Sequence, residues 1–255
     1  MAPTNEPIPS GELHHDHSPA GVALRISADS RQNFLRDFVY GAIDGCVTTF
    51  AIVAGVVGAQ LSSGVIIVLG LANVLADGFS MAVSNYLGTK ADQQLVDRAR
   101  KIEELHIDTV PEGEIEEIRQ IFKQKGFDDS LLEEVVRVIT GDRKLWIDTM
   151  LREEWGFSLT ASSPYKAAMV TFAAFVSVGM VPLAPFVCLY PLGVDGGRLF
   201  LGSICMTAVA FFAVGALKSR YVAESWLRAG TETLLMGGGA ALVAYVVGTL
   251  LKGIS

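Results

Sequence analysis

Between residues 103 and 154, side chains able to ligate a metal recur at helical spacing. Glu103 and His106 are three apart, Glu114 and Glu117 are three apart, and Met150 and Glu154 are four apart. On an α-helix each such pair projects from one face, so three helices carrying them can converge on one ion. Carboxylates suit hard divalent cations, imidazole suits Fe, Zn or Ni, and a thioether adds a soft ligand. The mixture fits Fe(II) better than Ca(II) or Mg(II). Glutamate pairs at this spacing also occur on solvated helices, so spacing alone leaves both readings open.

A second set lies in strongly apolar sequence. Asp44 stands next to Gly45, and Asn73, Asp77 and Met81 follow at i, i+4 and i+8, with Ser80, Ser84 and Asn85 nearby. Ionisable groups at membrane depth are costly and mark ion or substrate paths. Neither apolar run holds a Lys or Arg to neutralise Asp44 or Asp77, so their partner is expected to be a cation, a proton or both. A metal needs the carboxylate deprotonated, so metal and proton compete for it, which is the physical basis of a metal–proton exchanger. The competing reading is a hydrogen-bonded network between packed helices.

These residues need helices to hold them. The chain has 255 residues, 51% hydrophobic and 18% charged, against about 25% charged in a soluble domain. Apolar residues cluster over 39–59, 64–84, 166–190, 199–217 and 232–251, each about the 20 residues that a helix needs to cross hydrocarbon. The fold class expected is therefore all-α: a polytopic membrane protein with five transmembrane helices and a cytoplasmic helical metal-binding domain inserted between helices two and three. The organisation reads as a disordered tail over 1–33, helices one and two over 34–89, the inserted domain over 90–160 and helices three to five over 161–255. Gly179, Pro182 and Pro185 in helix three, and Gly237 to Gly239 in helix five, mark places where a span can bend or pack closely.

The insert carries most of the chain's charge. Over 90–154 there are 17 acidic and 11 basic side chains, a net of -6 within a chain of formal net charge -7. An acidic block does not anchor to the anionic cytoplasmic leaflet, but it concentrates cations. Its first helix continues helix two from about Asn85 to His106. Pro111 starts the next, with Glu112 and Glu114 in the first turn; it ends near Gly126. Asp128 or Asp129 caps a third running to about Thr140, and a fourth covers Arg143 to Trp155, stopped at Gly156. Ile115, Ile118, Ile121 and Phe122 form one apolar stripe, and Leu131, Leu132, Val135, Val136 and Ile139 another.

Orientation follows the Lys and Arg bias. Arg25, Arg31 and Arg36 precede helix one, the 60–63 loop is uncharged, the insert is charge-rich, the 190–198 loop has one Arg at its end, and Lys218, Arg220 and Arg228 flank the last loop. The N-terminus and insert are expected in the cytoplasm and the C-terminus on the far side. The first 30 residues lack the apolar stretch of a secretory signal. Their His14, His15, Asp16 and His17 can catch metal loosely, although a solvated tail is the simpler reading. Cys46, Cys188 and Cys205 lie in apolar stretches, where cysteine acts as a small hydrophobe, and three is too few and odd for a disulfide scaffold. The acidic balance argues against a nucleic-acid partner. No Walker-type phosphate loop and no nucleophile–base set is present, so an enzyme is not expected and transport must draw on a gradient.

The run from Arg36 to Gly45 resembles the first-helix motif of the vacuolar iron transporter family. So do Gly70-Leu71-Ala72-Asn73, Ser80-Met81 and Gly88 on helix two, Val110-Pro111 with Glu114 and Glu117, Met150 with Glu154-Trp155-Gly156, and Gly179-Met180-Val181-Pro182-Leu183 on helix three. The resemblance spans about residues 34–252. It implies a dimer of five-helix protomers that exports cytosolic Fe(II) in exchange for protons along a path between protomers. Asp44 and Met81 would line that path, and Glu103, Glu114, Glu117, Met150 and Glu154 would bind metal in the cytoplasm. This chain departs from the pattern at three places. His106 stands where the family often has a second glutamate, Leu151 where it has a second methionine, and Asn73 where some members carry a glutamate. Asp77, one turn on and on the same face, is expected to take over that carboxylate's duty.

The function expected is thus export of cytosolic Fe(II), with Mn(II) as a second cargo, by metal/proton antiport, the path holding Asp44, Asn73, Asp77 and Met81. No permanently bound cofactor is expected; Mn(II) or Zn(II) are further candidates for the cytoplasmic residues. The lipid bilayer and a second copy of the chain are the expected partners, in a bacterial inner membrane or a eukaryotic vacuolar one. Two alternatives belong to other classes: a membrane-bound di-iron oxidase, suggested by the Glu103-x-x-His106 spacing, and a metal sensor without transport.

Overall fold

The structure is a computed structural model that describes residues 18–28, 34–160, 163–222 and 224–252. Every regular element among the described residues is helical: α1 (Pro19–Ala28), α2 (Leu35–Gly58), α3 (Ser63–Thr109), α4 (Pro111–Gln124), α5 (Asp129–Thr140), α6 (Arg143–Glu153), α7 (Pro164–Gly179), α8 (Ala184–Leu189) with a 3-10 turn at Tyr190–Leu192, α9 (Gly196–Val222) and α10 (Trp226–Leu251). The chain divides into two compact units. Of the described residues, one holds those of 18–28, 34–86 and 164–252, and the other is built on those of 87–163. Helix α3 supplies its first part to one and the remainder to the other.

In the first unit α2, α3, α9 and α10 are each long and apolar enough to cross a membrane. A fifth span is present only if α7 and α8 count as one, because they bend by 54° at a short break. The expected third helix over 166–190 is therefore broken. Pro182 and Pro185 have no amide hydrogen to continue the ladder. Turn-like bonds from Val181 N to Val178 O (3.0 Å) and from Leu183 N to Met180 O (3.1 Å) close the gap. The buried Ser203 hydroxyl donates to the Pro182 carbonyl at 2.7 Å, meeting the rule that freed backbone groups in an apolar medium must find a partner.

Helix α2 is the hub of this unit, packed against α7, α9 and α10. Close approach explains its small residues: a methyl group added at Gly45 would overlap the Phe175 carbonyl of α7, and one at Gly248 of α10 would overlap the Gly55 carbonyl of α2. Van der Waals contact of this kind, rather than a hydrophobic drive, holds helices together in lipid. Phe50, Val53, Ile66, Val74, Leu183, Phe186 and Leu199 fill the core beside it.

The second unit is a small helical domain. Ala99 and Ile107 of α3, Ile118 of α4, Leu132, Val136 and Ile139 of α5, and Trp146, Ile147, Met150 and Leu151 of α6 form its core. Both expected stripes are present with one difference. Leu131 is 54% exposed, because it follows its helix start by two residues and points about 100° away from Leu132, which faces the core. Asp142 caps α6, its carboxylate accepting from Lys144 N at 2.9 Å and Leu145 N at 3.0 Å. Asp128 holds the corresponding position before α5, but its side chain makes no capping bond. Leu151 is a fully buried core side chain.

The stretch expected as tail contains helix α1. Its apolar Val22, Ala23 and Ile26 were outweighed in the sequence by the surrounding Pro, Gly and Ser. His14, His15, Asp16 and His17 lie outside the described residues.

Candidate metal centre

The second unit brings together three of the expected ligands. Among the described residues, Glu103 of α3, His106 of α3 and Glu114 of α4 are the only group of three or more His, Cys, Asp or Glu side chains whose ligand atoms converge; these atoms all lie within 4.8 Å of one another. An ion with ligand bonds of about 2.1 Å holds its ligands at most about 4.2 Å apart, so a small closure suffices. Pro111 at the first turn of α4 sets that helix directly after the end of α3, which folds Glu114 back toward the pair on α3.

The burial of this cluster is unusual for carboxylates. Glu103 is 1% exposed and Glu114 3%. His106 Nδ1 lies 3.1 Å from Glu114 Oε1, and Trp155 Nε1 donates to Glu103 Oε1 at 2.7 Å. The second oxygen of each glutamate, Oε2, is buried without a hydrogen-bond partner among the described residues. Such atoms cost free energy unless something meets them. Burial, then the charges of Glu117 and Glu103, push the Glu114 carboxyl up to about 7, against an opposing pull from His106. Glu154 is raised as well, by burial and then by the charges of Glu103 and Glu117. Both shifts show negative charge crowded at one place, which makes the cluster a candidate cation site.

The other expected ligands stand differently. Glu117 is exposed and Glu154 sits just past the end of α6, both near enough to act on the cluster through their charges. Met150 is fully buried in the domain core. Trp155, whose contact with Glu103 crosses 52 residues of sequence, was invisible to helical periodicity; it stood out only as part of a motif.

In the first unit Asp44 is exposed on α2 and Asp77 exposed on α3, with Asn73 and Met81 of α3 partly buried. The two carboxylates lie close enough for their charges to interact, and among the described residues neither forms an ion pair. Asn73 Nδ2 donates to Thr48 Oγ1 at 3.4 Å, and Thr48 Oγ1 donates to the Asp44 carbonyl at 2.9 Å. Asn73 is thus tied to the turn of α2 that carries Asp44, a link through Thr48 that spacing on one helix does not reveal.

The di-iron alternative needs a second Glu-x-x-His pair. His106 is the single histidine outside residues 14–17, and no second cluster of ligands accompanies the first among the described residues.

A family model described as the VIT family matches residues 35–249. The chain belongs to the VIT family. It is 32% identical over 230 residues to a vacuolar iron transporter of Toxoplasma gondii, covering 88% of this chain and 76% of that one. It is 31% identical over 221 residues to vacuolar iron transporter 1 of Arabidopsis thaliana, covering 86% of each. With vacuolar iron transporter 1 of Tulipa gesneriana it shares 30% identity over 251 residues, covering 97% of this chain and 96% of that relative. Membership of the VIT family places the chain among membrane transporters of metal ions and not among enzymes.

Proposed function

We propose that this VIT family member exports cytosolic Fe(II), with Mn(II) as a second cargo, in exchange for protons. One observation supports a metal cargo above the rest: Glu103 and Glu114 each bury a carboxylate oxygen that has no hydrogen-bond partner among the described residues, beside the His106 imidazole. A divalent transition-metal ion satisfies all three groups, and the mixed oxygen and nitrogen set suits Fe(II), Mn(II) or Zn(II) better than Ca(II) or Mg(II). Glu117, Glu154 and Met150 would complete or support the site.

Transport itself rests on the first unit. Asp44, Asn73, Asp77 and Met81 form the proposed path, and the unpaired carboxylates Asp44 and Asp77 are where metal and proton would compete. The exposure of Asp44 and Asp77 on single helices favours a path completed by a second copy of the chain. The N-terminus and insert face the cytoplasm in this reading and the C-terminus the far side, in an inner membrane or a vacuolar one according to the cell.

The test is uptake into proteoliposomes under an imposed pH gradient, with Fe(II) and Mn(II) supplied in turn and internal pH followed. Metal movement with opposite proton movement, lost in Asp44→Ala, is the expected result. Metal that binds the wild-type chain but never crosses would overturn the proposal in favour of a sensor.

A further inference from the structure

Trp155 lies just beyond α6, directly after Glu154, and its indole is partly exposed while its N–H reaches Glu103 on α3. The local backbone sets it there. Gly156 adopts φ +68°, in the left-handed region that glycine enters without cost. The Phe157 amide turns back to the Leu151 carbonyl at 2.9 Å. The Phe157 ring then stacks on the indole, with centroids 6.0 Å apart and planes 15° apart. A side chain held by a tight turn and a stacked ring has few alternative rotamers. Its N–H occupies Oε1 of Glu103, and Oε2 is the buried oxygen left without a hydrogen-bond partner among the described residues.

We infer that Trp155 is a positioning residue of the metal centre: its indole N–H fixes one oxygen of Glu103 so that the other is presented to the ion, and the same contact draws the end of α6, with Glu154, toward α3. This rests on the reading of Glu103, His106 and Glu114 as a metal site. A donor hydrogen-bonded to a ligating group orients that ligand, and its loss commonly lowers metal affinity by about ten- to a hundredfold. Trp155 would never touch the ion.

The experiment uses the full chain in detergent, titrated with Co(II) as a visible-absorbing probe and with Fe(II) under anaerobic conditions. Trp155→Phe keeps a ring against Phe157 and removes the donor. Site-specific insertion of 3-benzothienylalanine at position 155 keeps the indole's shape and also removes the donor, so the test survives if the phenylalanine variant folds poorly. The expected result is a Kd raised about tenfold or more in both, with a shifted Co(II) absorption spectrum and unchanged helix content. A merely structural role would reduce the fraction of competent protein and leave the Kd and spectrum of the rest unchanged. Wild-type Kd and spectrum in the benzothienyl protein overturn this inference alone. A wild-type chain that binds neither Co(II) nor Fe(II) overturns the metal-site reading and the inference with it.

Discussion

His106 Nδ1 lies 3.1 Å from Glu114 Oε1, across the Pro111 junction between two helices, with Glu103 closing the triangle. A metal entering this site must displace whatever proton Glu114 holds. Since that carboxyl is pushed up to about 7, binding is expected to weaken as pH falls below neutrality, by up to about tenfold per pH unit from this one proton. Co(II) titrations at pH 8, 7 and 6 check it. A Kd that does not change across that range would show that Glu114 gives up no proton on binding.

The same shift has an opposite consequence for the metal-free chain. Folding raises the Glu114 carboxyl from its ordinary 4.5 to about 7. Between those values the native chain holds a proton that the unfolded chain releases, so stability falls as pH rises through that window and levels off above it. Glu114→Gln is expected to stabilise the metal-free insert by about 2 kcal/mol at pH 8 and to change little at pH 4.5, while metal binding is lost. Thermal unfolding at the two pH values, in the presence of chelator, reads the difference. A variant destabilised at pH 8 would contradict it.

Much of this site was legible in the sequence because its geometry is local. Glu103 and His106 share a helix face by spacing alone, and Pro111 announces the turn that returns Glu114. What periodicity cannot carry is a contact between distant elements. Trp155 meets Glu103 across 52 residues, and Thr48 joins Asn73 across 25. The spans were legible from apolar length, but the 54° break in the third depends on whether another element satisfies a backbone carbonyl at the break. Ser203 does so from another helix. Helix α1 is not legible in the sequence, because ten residues rich in small side chains carry too little pattern to outweigh their Pro, Gly and Ser surroundings.

Asp77 is the second carboxylate of the proposed path, one turn beyond Asn73 on the same helix face. Its charge reaches Asp44, and the Asn73 amide is engaged with Thr48. Asp77→Asn should slow metal transport by about tenfold or more, equivalent to about 1.4 kcal/mol of lost ion stabilisation. The double variant Asn73→Glu with Asp77→Asn, which moves the carboxylate back one turn on the same face, should recover part of it. Initial uptake rates into proteoliposomes measure both. Unchanged transport in Asp77→Asn would sink the assignment.

Asn85 shows what a polar residue at a helix junction does when it is a packing device. Its Nδ2 donates to Asp37 Oδ1 at 2.9 Å and to Thr171 Oγ1 at 2.7 Å, joining α2, α3 and α7. Thr171 is buried and donates in turn to the Ala167 carbonyl at 3.0 Å. A hydrogen-bonded network between packed helices thus describes Asn85, whereas Asp44 and Asp77 have no ion-pair partner among the described residues. The consequence is a graded set of variants. Asn85→Leu keeps the volume but removes both of these bonds, the one to Asp37 being charge-assisted, and the expected cost is about 1–3 kcal/mol. Asn85→Asp sets a second carboxylate against Asp37, so it should cost more, and it should regain stability as pH is lowered and one of the two takes up a proton. Thr171→Val should cost less than Asn85→Leu, because Asn85 keeps its bond to Asp37. Melting temperatures in detergent at pH 5 and pH 8 order the three. If Asn85→Asp melts no lower than Asn85→Leu at pH 8, the Asp37 contact is not what holds the junction.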